Sequence, residues 1–155
     1  MTAGIIIQKP EIIVAGFRDR VEAQQGIGAV WKRLFAHAQE NDLNLDEVQQ
    51  IGMVLKVEKD NAFDYMAGFI VPSTEVARIV GLDAMVIDSS EFAVVDVEGA
   101  VPECIMAGAD HRIKEYIPAQ GYKPTGPIME AYAPEGNPKD RTYQMQVWIP
   151  VTKEA

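Results

Sequence analysis

The segment Tyr65-Met-Ala-Gly-Phe-Ile-Val-Pro72 is followed by a related segment, Tyr143-Gln-Met-Gln-Val-Trp-Ile-Pro150, at an offset of 78 residues, from 65 to 143. Both segments begin with tyrosine, end with proline and place a β-branched residue just before the proline. Apolar segments of this length are typical of strands. Their recurrence at a long fixed distance indicates an internal repeat.

Further elements recur in the same order. Segment 11–17 matches segment 91–97, since each begins with glutamate and continues with apolar residues. The helical patterns also align, with Trp31 against Ile113 and Phe35 against Ile117. Four elements at a nearly constant offset indicate a duplicated unit. We therefore predict one α+β domain, residues 1–155, in which tandem βαββ units of about 1–80 and 81–155 form an antiparallel sheet.

Hydrophobic periodicity predicts the individual elements. The predicted strands are 12–18, 51–57, 63–71, 91–98, 128–132 and 143–151. The first helix carries its apolar residues from Ile27 to Ala38, and Pro102 and Pro118 are predicted to open and close the second. A short turn ending near Ile79 is predicted after Ser73, which is a good N-cap residue.

A ligand groove is predicted between the two units. One helix per unit covers one face of the sheet and leaves the other face free. In the last strand Tyr143, Met145, Val147 and Ile149 alternate with Gln144, Gln146 and Trp148. The first set is apolar enough to lie against the helix. We therefore expect Gln146 and Trp148 to face a ligand, because grooves between repeats are common binding sites.

Composition excludes several classes of protein. The net charge of −9 and the absence of a basic cluster exclude direct nucleic-acid binding. The apolar runs are too short for a membrane span. Cys104 is the only cysteine, so no internal disulfide is expected and the reducing cytoplasm is the predicted location. His37 and His111, the only histidines, lie on different predicted helices, and neither a metal nor another cofactor is expected.

Four short segments carry a family resemblance that covers nearly the whole chain. Segments 10–16, 65–68, 92–95 and 147–151 resemble the GyrI-like small-molecule-binding domain, which is also the effector-binding domain of AraC-type and multidrug-responsive transcription regulators. Such regulators carry a helix-turn-helix before the effector domain. Residues 1–20 are strand-like here, so the chain resembles a stand-alone member.

The resemblance implies an aromatic groove that accepts amphipathic, often cationic, organic molecules. Many members carry a glutamate four residues before the final proline, and this chain has Gln146 there. Glu130, two residues before Tyr132, is the predicted substitute for that carboxylate. The expected ligand-binding residues are therefore Tyr65, Glu130, Tyr132, Gln146 and Trp148.

Two other functions stay open from the sequence. Some family members are hydrolases, and Glu130 next to Tyr132 could act as a general base through a water molecule. Alternatively, the acidic surface could meet a basic protein partner, as the gyrase-inhibitory members of the family suggest.

Overall fold

A computed structural model describes residues 4–22, 26–57, 62–101, 109–133 and 137–154. The strands found there are β1 (Ile5–Lys9), β2 (Ile12–Val21), β3 (Gln50–Val57), β4 (Phe63–Val71), β5 (Asp83–Ile87), β6 (Ser90–Glu98), β7 (Tyr122–Pro124), β8 (Ile128–Tyr132) and β9 (Gln144–Lys153). The helices found there are α1 (Ile27–Glu40), α2 (Thr74–Ile79) and α3 (Ala109–Ala119).

The α+β class and the antiparallel sheet predicted from the sequence are confirmed. Ser73 caps α2 as expected, because its side chain accepts a hydrogen bond from the backbone N–H of Val76. Three strands were not predicted, namely β1, β5 and β7. The predicted start of the second helix at Pro102, and residues 134–136 of the loop before β9, lie outside the described residues.

The strand order is symmetric about the β3–β8 pair. The order is β1-β6-β9-β8-β3-β4-β2-β5, with β7 beside β9. Read from the two ends, β1-β6-β9-β8 corresponds to β5-β2-β4-β3. The starts of β1, β2 and β3 precede those of β5, β6 and β8 by 78 residues each, from 5 to 83, 12 to 90 and 50 to 128. Gly52 faces Glu130 across the β3–β8 pair and is also 78 residues away, so this pair lies on the pseudo-twofold axis.

The sheet curls until its two ends meet. Strands β1 and β2 stand near opposite ends of the strand order, yet only two residues separate them in the chain. Three residue steps span at most about 11 Å, so the two ends must be close. The same holds for β5 and β6. The same pairing register continues from the β1–β6 pair to the β2–β5 pair, because Lys9 lies opposite Ser90 and Ile12 lies opposite Ile87.

Curling produces three apolar clusters rather than two. One cluster lies under α1, which packs on β2 and β4, and another lies under α3, which packs on β6, β7 and β9. The strip of sheet formed by β3 and β8 therefore lies between the two helices. The third cluster fills the inner face of the curled sheet with residues from strands alone: Ile12, Val14, Ile51, Met53, Met66, Phe92, Val94, Met129, Ala131 and Trp148.

The buried face of α1 differs from the predicted alignment. Val30, Leu34 and Ala38 are the buried residues of α1, whereas Phe35 is 47% exposed. Ile113 and Ile117 of α3 are fully buried, so the alignment of Trp31 and Phe35 with them was wrong by one position. A one-residue step rotates a helical side chain by about 100°, and Trp31 and Phe35 therefore form a separate stripe beside the buried one.

Helices long and apolar enough to cross a membrane do not occur in the ranges that the structure describes.

Candidate functional site

A buried carboxylate stands at the centre of the β3–β8 strip. Glu130 lies in the middle of β8 with 7% of its surface exposed. Its Oε1 accepts two hydrogen bonds of 2.8 Å, one from the hydroxyl of Tyr65 on β4 and one from the hydroxyl of Tyr132 on β8. Charge-assisted hydrogen bonds of this kind are about twice as strong as neutral ones. The two phenols therefore stabilise the negative charge of Glu130.

Helix α1 supplies an aromatic wall for this carboxylate. The indole Nε1–H of Trp31 donates to the hydroxyl oxygen of Tyr65 at 3.0 Å. The Trp31 ring also meets the Tyr132 ring edge to face, with the centroids 5.5 Å apart. Phe35, one turn along α1, packs against Trp31 at 5.8 Å and is largely exposed. The network thus joins side chains from both halves of the chain.

A glycine makes room for the contact between Tyr65 and Glu130. Gly52 faces Glu130 across the β3–β8 pair. A Cβ atom at this position would overlap the Tyr65 hydroxyl and stand 2.6 Å from Oε1 of Glu130. Real Cβ atoms do not approach other atoms so closely. The hydrogen bond between β4 and β8 therefore passes over β3 only because residue 52 has no side chain.

Burial and charge keep both phenols protonated. Burial, followed by the charge of Glu130, raises the pKa of Tyr65 well above its ordinary value, while donation from Trp31 acts in the opposite direction. The pKa of Tyr132 is raised well above its ordinary value by the same two causes. Both tyrosines are therefore hydrogen-bond donors at neutral pH and not nucleophiles.

The charge and the rings of this arrangement can attract a positive charge. Glu130 offers a negative charge in a site of low polarity, where charge attraction is stronger than in water. The ring faces of Trp31, Phe35 and Tyr132 can attract a positive charge by cation–π contact. Groups of three or more His, Cys, Asp or Glu side chains that could hold a metal do not occur in the part of the chain that the structure describes.

The five residues predicted as a site fall into two groups. Tyr65, Glu130 and Tyr132 come together on the helix-bearing face. Gln146 and Trp148 do not join them, because they point to the inner face of the curled sheet, where Trp148 is 7% exposed.

Gln146 and Trp148 have partners of their own on that inner side. The indole N–H of Trp148 donates to Oε1 of Gln146 at 2.9 Å, and Nε2 of Gln146 donates to Asp96 at 2.8 Å. The ammonium group of Lys9 lies 3.9 Å from the centroid of the Trp148 ring. Burial lowers the pKa of Lys9. The aromatic face of Trp148 is thus already occupied by a cation of the protein itself.

The sequence did not point to Trp31 or Gly52 as part of the site, although each left a signal. Ile27, Trp31 and Phe35 recur every four residues beside the buried stripe of α1. One helix on one sheet does not need an apolar face this wide, so the second stripe was a sign of a further contact. Gly52 interrupts the apolar strand β3, and glycine within a strand often marks a close approach.

Solved structures share this fold. SAV2435 bound to tetraphenylphosphonium is 23% identical, with 97% of this chain and 94% of that chain covered and a TM-score of 0.73. EcmrR, solved with DNA by cryo-EM, is 14% identical, with 98% of this chain and 58% of that chain covered and a TM-score of 0.73. A hydrolase from Listeria innocua is 12% identical, with coverages of 96% and 91% and a TM-score of 0.59.

No match was found among curated protein sequences. The model of the GyrI-like small-molecule-binding domain, in contrast, matches residues 5–152, which is nearly the whole chain. With the antiparallel sheet, its two flanking helices and the solved structures that share the fold, this match shows that the chain belongs to the GyrI-like small-molecule-binding domain family.

Proposed function

We propose that the protein binds an amphipathic organic cation in the groove between α1 and α3, above the β3–β8 strip, and does so without chemistry. The cation lies against the rings of Trp31, Phe35 and Tyr132, and Glu130 is its counter-charge. The observation that carries this proposal is Glu130 itself, a carboxylate 7% exposed that is fixed by two phenol hydroxyls in the middle of a sheet.

Burying a carboxylate destabilises a fold unless another interaction compensates for the lost hydration. Removing an ionised group from water costs several kcal/mol unless hydrogen bonds or an opposite charge compensate. Replacing buried polar groups by apolar residues of similar size is often neutral or stabilising for the fold alone. A carboxylate held among aromatic rings is better explained by recognition of a positive ligand than by stability.

Coulomb's law sets the scale of the expected attraction. A unit positive charge about 6 Å from the carboxylate gains roughly 3 kcal/mol at an effective dielectric constant of about 20. Each cation–π contact adds about 0.5–2 kcal/mol. The carboxylate alone therefore accounts for about a hundredfold in affinity.

The fold of SAV2435, solved with tetraphenylphosphonium, supports this ligand class. Tetraphenylphosphonium is a permanent cation with an aromatic surface, which is the chemistry that Glu130 and the rings around it would recognise. It is therefore the first probe to use for this chain.

Isosteric probes of opposite charge test the proposal. Tetraphenylphosphonium and tetraphenylborate have nearly the same shape, and triphenylphosphine oxide is a neutral relative. We expect calorimetry to show tight binding of the cation, weaker binding of the neutral compound and no binding of the anion. Glu130→Gln should weaken cation binding by about a hundredfold and leave the neutral compound nearly unchanged.

A matched control removes the same charge elsewhere. Asp96→Asn eliminates a carboxylate beside Gln146 on the other side of the sheet. It should leave cation binding within about twofold, since an exposed charge is screened. The proposal fails if Asp96→Asn weakens binding as much as Glu130→Gln does, or if the anion binds as well as the cation.

Hydrolysis in the same groove is the second function to test, because Glu130 and Tyr132 are in direct contact. Oε1 of Glu130 already accepts two hydrogen bonds, which makes it a weak base, and the raised pKa values of the tyrosines disfavour a phenolate nucleophile. Turnover of an ester substrate that Glu130→Gln abolishes would favour the hydrolase, whereas activity unchanged in that variant would exclude Glu130 as the base.

A further inference from the structure

The hydrogen bond between Trp31 and Tyr65, which lies next to the bond from Tyr65 to Glu130, can run in only one direction. The indole nitrogen of Trp31 is a donor and never an acceptor, so its contact with the Tyr65 hydroxyl places a proton on the indole side of that oxygen. One acceptor position of the Tyr65 oxygen is then occupied, and its own O–H points to Oε1 of Glu130, 2.8 Å away. The donor direction therefore runs from Trp31 through Tyr65 to Glu130.

This direction favours the ionised form of Glu130. A carboxylate accepts hydrogen bonds more strongly than a protonated acid does. Oε1 already accepts the hydroxyl of Tyr132 as well. If Tyr65 were free to rotate, it could accept a hydrogen bond from a protonated Glu130 instead of donating to it. Donation from Trp31 disfavours that arrangement, because it occupies one acceptor position of the Tyr65 oxygen.

Donation from Trp31 also makes Tyr65 a better donor. A hydroxyl that accepts a hydrogen bond is polarised and donates more strongly in turn. In the same sense, donation from Trp31 opposes the effects of burial and of the Glu130 charge, which raise the pKa of Tyr65. Donation from Trp31 therefore strengthens the hydrogen bond that reaches the carboxylate.

We infer that Trp31 is a positioning residue that holds Glu130 ionised by orienting the hydroxyl of Tyr65. This inference rests on the proposed function, since the ionised carboxylate is the counter-charge of the ligand. It goes beyond that function because it gives the indole N–H a role that a phenylalanine of similar shape would lack. The consequence is that cation binding persists to lower pH than a buried carboxylate alone would permit.

Two titratable groups hydrogen-bond to Glu130, Tyr65 from β4 and Tyr132 from β8, and both are part of the network. Its neighbours across the sheet are Gly52 on β3 and Val147 on β9, neither of which titrates. From α1 the facing residue is Trp31, which has no charge.

A titration without ligand tests the inference directly. In protein with ¹³C-labelled glutamate, the carboxyl resonance that Glu130→Gln removes reports the protonation midpoint of Glu130. Trp31→Phe should move that midpoint up by about half a pH unit, and Tyr65→Phe by about one unit or more. Trp148→Phe is the matched control, because it removes the other indole N–H, which donates to Gln146, and it should not move the midpoint.

A double mutant separates an indirect role from a direct one. If Trp31 acts through Tyr65, Trp31→Phe should add no further shift in a Tyr65→Phe background. If Trp31→Phe does not fold, replacing tryptophan by benzothienylalanine in a Trp148→Phe background removes only the N–H of residue 31. An unchanged midpoint after loss of that N–H overturns the inference, and so does a second shift in the double mutant.

The pH profile of tetraphenylphosphonium binding then connects the inference to the proposed function. Trp31→Phe should move the acid limb of the profile upward by the same half unit, whatever affinity the variant loses at every pH through the changed ring contact. Failure of the wild type to bind tetraphenylphosphonium would refute the proposed function, while the ligand-free titration would still decide the role of Trp31. A uniform loss of affinity at every pH, with no shift, would make Trp31 a contact residue only and overturn the inference.

Discussion

Gly52→Ala is the smallest change that should disable the site. The new methyl group would overlap the hydroxyl of Tyr65 and stand 2.6 Å from Oε1 of Glu130. The hydrogen bond between these two side chains must then lengthen or break. A hydrogen bond to a charged group contributes about 1.5–3 kcal/mol to the free energy of unfolding. Alanine in place of glycine in a strand raises that free energy by about 0.5–1 kcal/mol. The expected net loss of unfolding free energy is about 1–2 kcal/mol.

Urea unfolding followed by circular dichroism measures this loss, and Gly28→Ala is the matched control. Gly28 lies in the first turn of α1, and a Cβ atom there would meet nothing within 4 Å. Because alanine favours a helix over glycine, Gly28→Ala should raise stability by up to about 1 kcal/mol. If Gly52→Ala proved as stable as Gly28→Ala and bound tetraphenylphosphonium like the wild type, Tyr65 and Glu130 could not meet over residue 52.

Three other outcomes follow from the structure. In an alkaline absorbance titration, two of the five tyrosines, Tyr65 and Tyr132, should ionise well above the ordinary range. Folding raises the pKa of both tyrosines. Their contribution to stability is therefore intact below about pH 10 and is lost as the pH rises further. Ser73→Ala should lower the urea-measured stability by about 1 kcal/mol through loss of the α2 cap, and an unchanged midpoint would contradict the hydrogen bond to Val76. A tenfold rise in salt should weaken tetraphenylphosphonium binding by less than about threefold, because a partly buried charge is poorly screened; a steep loss would instead favour recognition by the acidic surface.

Local sequence patterns were sufficient for most of the secondary structure. The apolar patterns identified β2, β3, β4, β6, β8 and β9, because each has at least one buried face. Strand β5 was not recognised, since it is a short edge strand with exposed alternate residues. Strand β1 is likewise short and largely exposed. Such strands are defined by their partners, β2 and β6, which are far away in the chain.

The candidate site was only partly accessible from sequence. Proximity along β8 linked Glu130 with Tyr132, and the repeat drew attention to Tyr65. The same alternation placed Gln146 and Trp148 away from the helix, where the structure has them, but it could not show that this face is closed. Closure depends on pairing β1 with β6 and β2 with β5, which is a long-range property of the chain.

The two tryptophans allow the most direct test of where the ligand binds. Trp148→Phe leaves Trp31, on the helix-bearing face, as the only tryptophan of the chain, and Trp31→Phe leaves only Trp148, on the inner face. Titration with tetraphenylphosphonium near pH 8 should change the fluorescence of Trp31 strongly and that of Trp148 little. A response confined to Trp148 would place the ligand on the inner face of the sheet and contradict the assignment of Glu130 as its counter-charge.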